Sequence, residues 1–203
     1  MFLYFDLGNL LLNFDYAVVC RNIAALTGLT AARVDEIVFT SKLNERYERG
    51  EIDSREFHHA FVKTSGTQPD CQAFLRAASD MFSLNTPVVP IVAQLRAAGQ
   101  RLGILSNTSP AHWEFVTDGR FTLLPEYFAV AALSYQLKSL KPQRSIYDAA
   151  ANLAGEKPRD IFFVDDKVEN VEGARAAGFD AVHFTTALQL AEDLRRRGVR
   201  FNY

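Results

Sequence analysis

Residues 1–9 read Met-Phe-Leu-Tyr-Phe-Asp-Leu-Gly-Asn, an apolar run that stops abruptly at Asp6. A run this short, with no polar residue on either alternating face, predicts a strand buried on both sides, as in the middle of a parallel sheet. Four more runs carry the same signature: Arg101 to Leu105, Phe128 to Leu133, Ile161 to Val164 and Ala181 to Phe184. Segments with helical apolar spacing separate the later ones, namely Val89 to Ala98, Ser145 to Leu153 and Val171 to Ala177, with Gly99, Gly155 and Gly178 placed as C-terminal caps. Strands alternating with helices predict βαβ units with right-handed crossovers. The expected fold is therefore α/β, a Rossmann-like core around a parallel five-stranded sheet.

The alternation breaks between the first and second runs, where the intervening chain is far longer than one crossover helix needs. Phe14 to Leu26, Ala31 to Thr40, Arg55 to Thr64 and Cys71 to Phe82 each read as helical, with turn signals at Gly28, Gly50 and Gly66 to Pro69. The predicted organisation is a small all-helical cap of residues 14–86, inserted into a core built from residues 1–13 and 87–203.

Composition narrows the partners. With 22 Lys and Arg against 24 Asp and Glu, the chain has no global positive field for nucleic acid or an anionic membrane, which leaves a small molecule as the expected ligand. Cys20 and Cys71 form no Cys-x-x-Cys pair, so neither a disulfide framework nor a thiolate metal site is expected. The start carries no basic leader and no long apolar stretch. No export signal or membrane span is read, and a cytoplasmic location is expected.

In open parallel sheets, ligands collect beyond the carboxyl ends of the strands. The first strand delivers Asp6 to that edge, the second delivers Ser106, Asn107 and Thr108, and the fourth delivers Asp165 and Asp166. A single Asp at a strand end is more often a cap or turn residue, but three converging carboxylates repel and call for a shared proton, a cation or a basic neighbour. Magnesium, which takes oxygen ligands from one or two carboxylates plus phosphate and water, suits Asp6 and Asp166. Ser109 followed by Pro110 reads as a helix start whose amides can hold an anion. Lys141, before Pro142 and a helical segment, puts a positive charge at the positive end of a helix, which a phosphoryl group and Asp6 there would justify. His58-His59, Trp113 and Arg195-Arg196-Arg197 read as surface or packing residues.

Together, Phe5-Asp6-Leu7-Gly8-Asn9, Leu105-Ser106-Asn107, Lys141-Pro142 with Ile146-Tyr147, and Phe163-Val164-Asp165-Asp166 with Asn170 resemble the haloacid dehalogenase superfamily. The insertion resembles that of members whose helical cap follows the first strand. The resemblance implies a magnesium-dependent phosphatase in which Asp6 attacks phosphorus and becomes transiently phosphorylated. It makes Ser106, Asn107 and Thr108 phosphate contacts and has Lys141 steady both nucleophile and phosphate. Asp6, the Gly8 carbonyl and Asp166 would bind metal, with Asp165 as a second ligand or a supporting group. One departure stands out: many relatives carry a second Asp, the proton donor, where this chain has Gly8. The Asp-Leu-Gly-Asn form and Glu48-Arg49-Gly50-Glu51-Ile52 look like the bacterial alpha-D-glucose-1-phosphate phosphatase branch, which implies a sugar phosphate substrate. Two rivals are hydrolytic dehalogenation, against which the Asp165-Asp166 pair argues, and a phosphate-binding regulatory protein that has lost turnover. Without a donor at position 8, leaving-group acidity should govern the rate unless a cap residue supplies the proton.

Overall fold

The computed structural model describes residues 1–202 and turns each of the five apolar runs into a strand. In chain order the strands are β1 (Phe2–Phe5), β2 (Leu12–Asn13), β3 (Ser83–Leu84), β4 (Leu102–Ser106), β5 (Val130–Leu133), β6 (Ile161–Asp165) and β7 (Asp180–His183). Five of them form one parallel sheet in the order β5-β4-β1-β6-β7. β1 lies at its centre, with Phe5 paired to Ile104 on one side and Val164 on the other, so all four of its residues are buried.

Strand periodicity divides that burial between two cores. Leu3 and Phe5 face a layer made with Ile91 and Leu95 of α6 (Val89–Ala97) and Leu190 and Leu194 of α12 (Ala187–Arg196). Phe2 and Tyr4 face the opposite layer, which holds Ile146, Tyr147 and Ala150 of α10 (Arg144–Ala154) and Val171 and Ala174 of α11 (Val168–Ala176). Each buried aromatic of β1 contributes about 1.5–3 kcal/mol. The Tyr4 hydroxyl, fully buried, donates to the Ala150 carbonyl at 2.9 Å. Next to it β4 carries Gly103, where a Cβ would lie 2.6 Å from the Tyr4 ring and 2.7 Å from the Phe2 ring.

The insertion folds as α1 (Tyr16–Thr27), α2 (Ala31–Asp35) continuing into a π-helical turn over Glu36–Thr40, α3 (Leu43–Glu48), α4 (Ser54–Ser65) and α5 (Cys71–Ser79). Its starts are chemically marked: Asp15 caps α1, and Asp53 with Glu56 forms a capping box on α4. Val19, Ile23, Val34, Ile37, Phe57, Phe61 and Phe74 fill a separate core, with Tyr47 stacked on Phe57 at 4.5 Å. Two features go beyond the sequence reading. α3 was not expected, and the two chain crossings pair as a short antiparallel ribbon, Leu12 with Leu84 and Asn13 with Ser83. The remaining helices, α7 (Pro110–Thr117), α8 (Leu123–Tyr127) and α9 (Ser134–Leu137), flank β4 and β5. No single helix among the described residues is long and apolar enough to cross a membrane.

Candidate active site

The chain leaves β1 for β4 on one side and places β6 on the other, so the crevice at the carboxyl end of β1 is where strand order reverses. Asp6 follows β1, Ser106 ends β4, Asp165 ends β6 and Asp166 follows it. The three carboxylates meet, and Ser106 ends the strand paired beside β1. Asp6, Asp165 and Asp166 each present a carboxylate oxygen to a cluster within 4.8 Å.

Lys141 joins that cluster and meets Asp6, the anion expected beside it. Helix α10 begins only at Arg144, and the Lys141 side chain runs into the crevice instead of lying across the helix start. Its ammonium donates to Asp6 Oδ1 at 2.7 Å, Asp165 Oδ2 at 2.6 Å and the Leu105 carbonyl at 3.0 Å, above the Phe163 ring. Burial works against its charge, yet the two carboxylates prevail and hold its pKa above the ordinary lysine value. Asp6 shows the opposing pull. Burial pushes its carboxyl up to about 7, Lys141 opposes this, and the charges of Asp165 and Asp166 add to it. One ammonium does not neutralise three carboxylates, and a divalent cation would complete the balance.

The carboxylates are not equivalent. Asp165 is fully buried, and both its oxygens are occupied: the Lys167 amide and Asn170 donate to Oδ1, Lys141 and Asn170 to Oδ2. The carboxylate of half-buried Asp166 accepts only from Asn9 Nδ2, at 3.1 Å, among the described residues. Asn9 has a left-handed backbone (φ 53°), a conformation Asn tolerates better than most residues. The bridge between residues 8 and 12 uses the Leu7 carbonyl and the Asn9 amide, leaving the Gly8 carbonyl out of the pairing. A Cβ on Gly8 would lie 2.6 Å from the Phe14 ring, so the space a side chain there needs is already filled.

Asn107 and Thr108 have tasks the sequence did not suggest. The Asn107 side chain accepts from the Lys141 amide at 2.8 Å and donates to the Lys141 carbonyl at 3.1 Å, fixing the backbone from which the ammonium extends. The Thr108 amide donates to the Ser134 hydroxyl at 2.9 Å, and that hydroxyl lies 2.6 Å from the Glu48 carbonyl and 3.0 Å from the Thr108 carbonyl. Ser134 therefore ties the insertion to the loop after β4. Tyr47 adds a second tie by accepting from the Ala111 amide at 3.1 Å. Ser109 caps α7 as expected, accepting from the His112 amide. Ser106 is buried, its hydroxyl 3.3 Å from the Asn107 carbonyl. His58 bonds the Pro69 carbonyl, Trp113 packs against the core and Arg197 pairs with Asp180, so these residues remain apart from the cluster.

Comparison with known proteins agrees with this geometry. Residues 3–178 match the family of haloacid dehalogenase-like hydrolases. The sesquiterpene phosphatase astK of Aspergillus oryzae is 22% identical, over 78% of this chain and 81% of its own. Phosphatase MT3486 of Mycobacterium tuberculosis is 25% identical, over 87% of this chain and 83% of its own. The HAD family enzyme bt-2542 of Bacteroides thetaiotaomicron, solved in complex with magnesium and inorganic phosphate, has a TM-score of 0.80 at 25% identity, covering 91% of this chain and 93% of that one. The matched span runs from β1 past β6 and takes in every group of the carboxylate and lysine cluster. This chain belongs to the haloacid dehalogenase-like hydrolases.

Proposed function

We propose that the protein is a magnesium-dependent phosphomonoester hydrolase working through an aspartyl-phosphate on Asp6, with a small sugar phosphate as substrate. One observation carries the reading: a buried lysine 2.7 Å from Asp6, beside three carboxylates that each offer one oxygen within 4.8 Å of the others. The all-oxygen donor set fits a hard divalent cation. Asp6, Asp166 and the Gly8 carbonyl would hold it directly, and Asp165, whose oxygens are already bonded, would orient Lys141 and the loop behind them. Once bound, the ion offsets the negative charge of the transferring phosphoryl group. Asp6 attacks in line, Lys141 stabilises the phosphoryl oxygens together with Ser106, and Asn107 keeps Lys141 in register. Water then hydrolyses the aspartyl-phosphate.

Support for a sugar phosphate comes from the Asp-Leu-Gly-Asn and Glu-Arg-Gly-Glu-Ile segments, of which the second lies on α3 and the turn that follows, beside the loop after β4. Carbon-halogen cleavage has no phosphate charge for the paired carboxylates to balance. We place the enzyme in the cytoplasm, where Cys20 and Cys71 remain as free thiols. The test is phosphate release across sugar phosphates, nucleotides and phosphorylated acids, with magnesium and with chelator. Asp6→Asn should fold normally and release none, since an amide is a poor nucleophile. Turnover by the folded variant, or full activity in chelator, would refute the assignment.

A further inference from the structure

Gly8 leaves the phosphatase reading without a proton donor on the first loop, and Phe14 blocks the space where one would stand. The Phe14 ring lies 5.0 Å from the Tyr16 ring, and the Tyr16 hydroxyl donates to Glu48 Oε1 at 3.3 Å. Glu48 is thus the carboxyl group reached by following the contacts that fill the gap. Its backbone is fixed on the same side, because the Ser134 hydroxyl joins the Glu48 carbonyl to the Thr108 amide and carbonyl.

We infer that the Glu48 carboxyl, carried by the helical insertion, donates the proton to the leaving oxygen in place of the side chain that Gly8 lacks. The inference rests on the phosphatase reading. Tyr16 and Asn44 both donate to Glu48 Oε1, at 3.3 and 2.9 Å, which makes Oε1 the carbonyl oxygen of the neutral acid and leaves Oε2 to carry the proton. The charged and titratable groups acting on Glu48 are Tyr16 from α1, Glu45 from its own helix and Lys167 from the loop after β6. Burial foremost raises the pKa of this half-buried carboxyl, the Asn44 and Tyr16 hydrogen bonds and Lys167 oppose the rise, and Glu45 adds to it. Tyr16 stays protonated: burial, then Glu48 and, more weakly, Asp6 hold its pKa well above the ordinary phenol value.

In the first half-reaction an Asp6 oxygen bonds to phosphorus, the bond from phosphorus to the leaving oxygen breaks, and that oxygen takes the proton of Glu48 Oε2. In the second, the Glu48 carboxylate removes a proton from the water whose oxygen attacks phosphorus, and the bonding pair returns to Asp6. Glu48 ends protonated, as it began.

Glu48→Gln keeps the shape and an acceptor for Tyr16 and Asn44 but has no acidic proton. It should be assayed with magnesium on phosphate monoesters ranging from nitrophenyl to simple alkyl leaving groups. General acid catalysis contributes about 10²–10⁴-fold, so alkyl ester turnover should fall by about a hundredfold or more, and nitrophenyl phosphate turnover by only several-fold. An equal fall on both esters, or no fall, overturns the inference. Tyr16→Phe provides an independent readout: losing a donor to the carboxylate should move the basic limb of the kcat profile to higher pH, and an unmoved limb counts against Glu48. If the unmodified protein releases phosphate from no ester, the phosphatase reading itself fails. If it is active while both variants behave like the wild type, only the role of Glu48 is lost.

Discussion

Replacing Lys141 with methionine gives an unbranched side chain one atom shorter and removes the positive charge that pairs with Asp6 and Asp165. The Lys141 side chain is 1% exposed, against 0% for Asp165 and 10% for Asp6, so solvent does little to replace it. Removing one partner of a buried pair costs about 3–5 kcal/mol, a large share of the roughly 5–15 kcal/mol that holds a domain together. For a chain of this size that corresponds to a drop of about 6–20 °C in Tm. The loss should depend on pH. Asp6 titrates near 7 when folded and near 3.8 when unfolded, so the metal-free fold loses stability as its carboxyl ionises between those values. Lys141, its pKa raised, is charged throughout this range and offsets the loss. At about pH 5.5 a protonated Asp6 asks little of Lys141, whereas at about pH 8 it is ionised, so the variant should suffer more at the higher pH. Magnesium at a hundred times its Kd should return about 2.7 kcal/mol to whichever form binds it. Urea unfolding followed by circular dichroism, at both pH values, with chelator and with magnesium, measures each term. A penalty below about 1 kcal/mol at the higher pH in chelator, or equal penalties at both, would refute the claim that Lys141 is the counter-charge of a buried carboxylate pair.

Two further outcomes follow from the same geometry. Asp166→Ala should weaken magnesium binding by at least about tenfold, read in the metal-free protein as loss of magnesium-induced thermal stabilisation; an unchanged titration would take Asp166 out of the metal site. Ser134→Ala should destabilise the protein by about 1–3 kcal/mol, because the Thr108 amide and the Glu48 carbonyl lose the hydroxyl they share; chemical denaturation indistinguishable from wild type would show that this tie carries no energy.

The sheet was legible because inner parallel strands must be apolar on both faces, and the chain contains five such runs. Asp6, Ser106, Asp165 and Asp166 could be placed for the same reason, since each ends or follows one of those runs. Lys141 was legible as a positive charge that needs an anion, and Asp6 is an anion it meets. Its second partner, Asp165 at the end of β6, was not, because no local pattern encodes which strands become neighbours. Asn107 illustrates the same limit: its spacing marks a ligand loop, while its contacts 34 residues away make it a brace for Lys141. β2 and β3 span two residues each, too short for any periodicity, and exist because the chain crossings meet. Ser134 and Tyr16 gave no signal, as each acts through elements distant in sequence.

The ribbon of β2 and β3 also says how such a molecule can be edited. Its last pair is Asn13 opposite Ser83, so the stretch between them leaves and re-enters the core at adjacent points, and a two-residue turn would close the gap into an ordinary hairpin. The helical unit thus joins the core at a hairpin tip, and an exchange made at that tip should leave the sheet beneath in place. What a replacement must still supply is a contact surface for Ser134 and Ala111, where Glu48 and Tyr47 now dock, for His112, which bonds the Ala78 carbonyl, for Lys138, which donates to the Gly50 carbonyl, and for Gln143, which accepts from Arg49. A grafting experiment therefore has these contacts to respect as well as the Asn13–Ser83 pair.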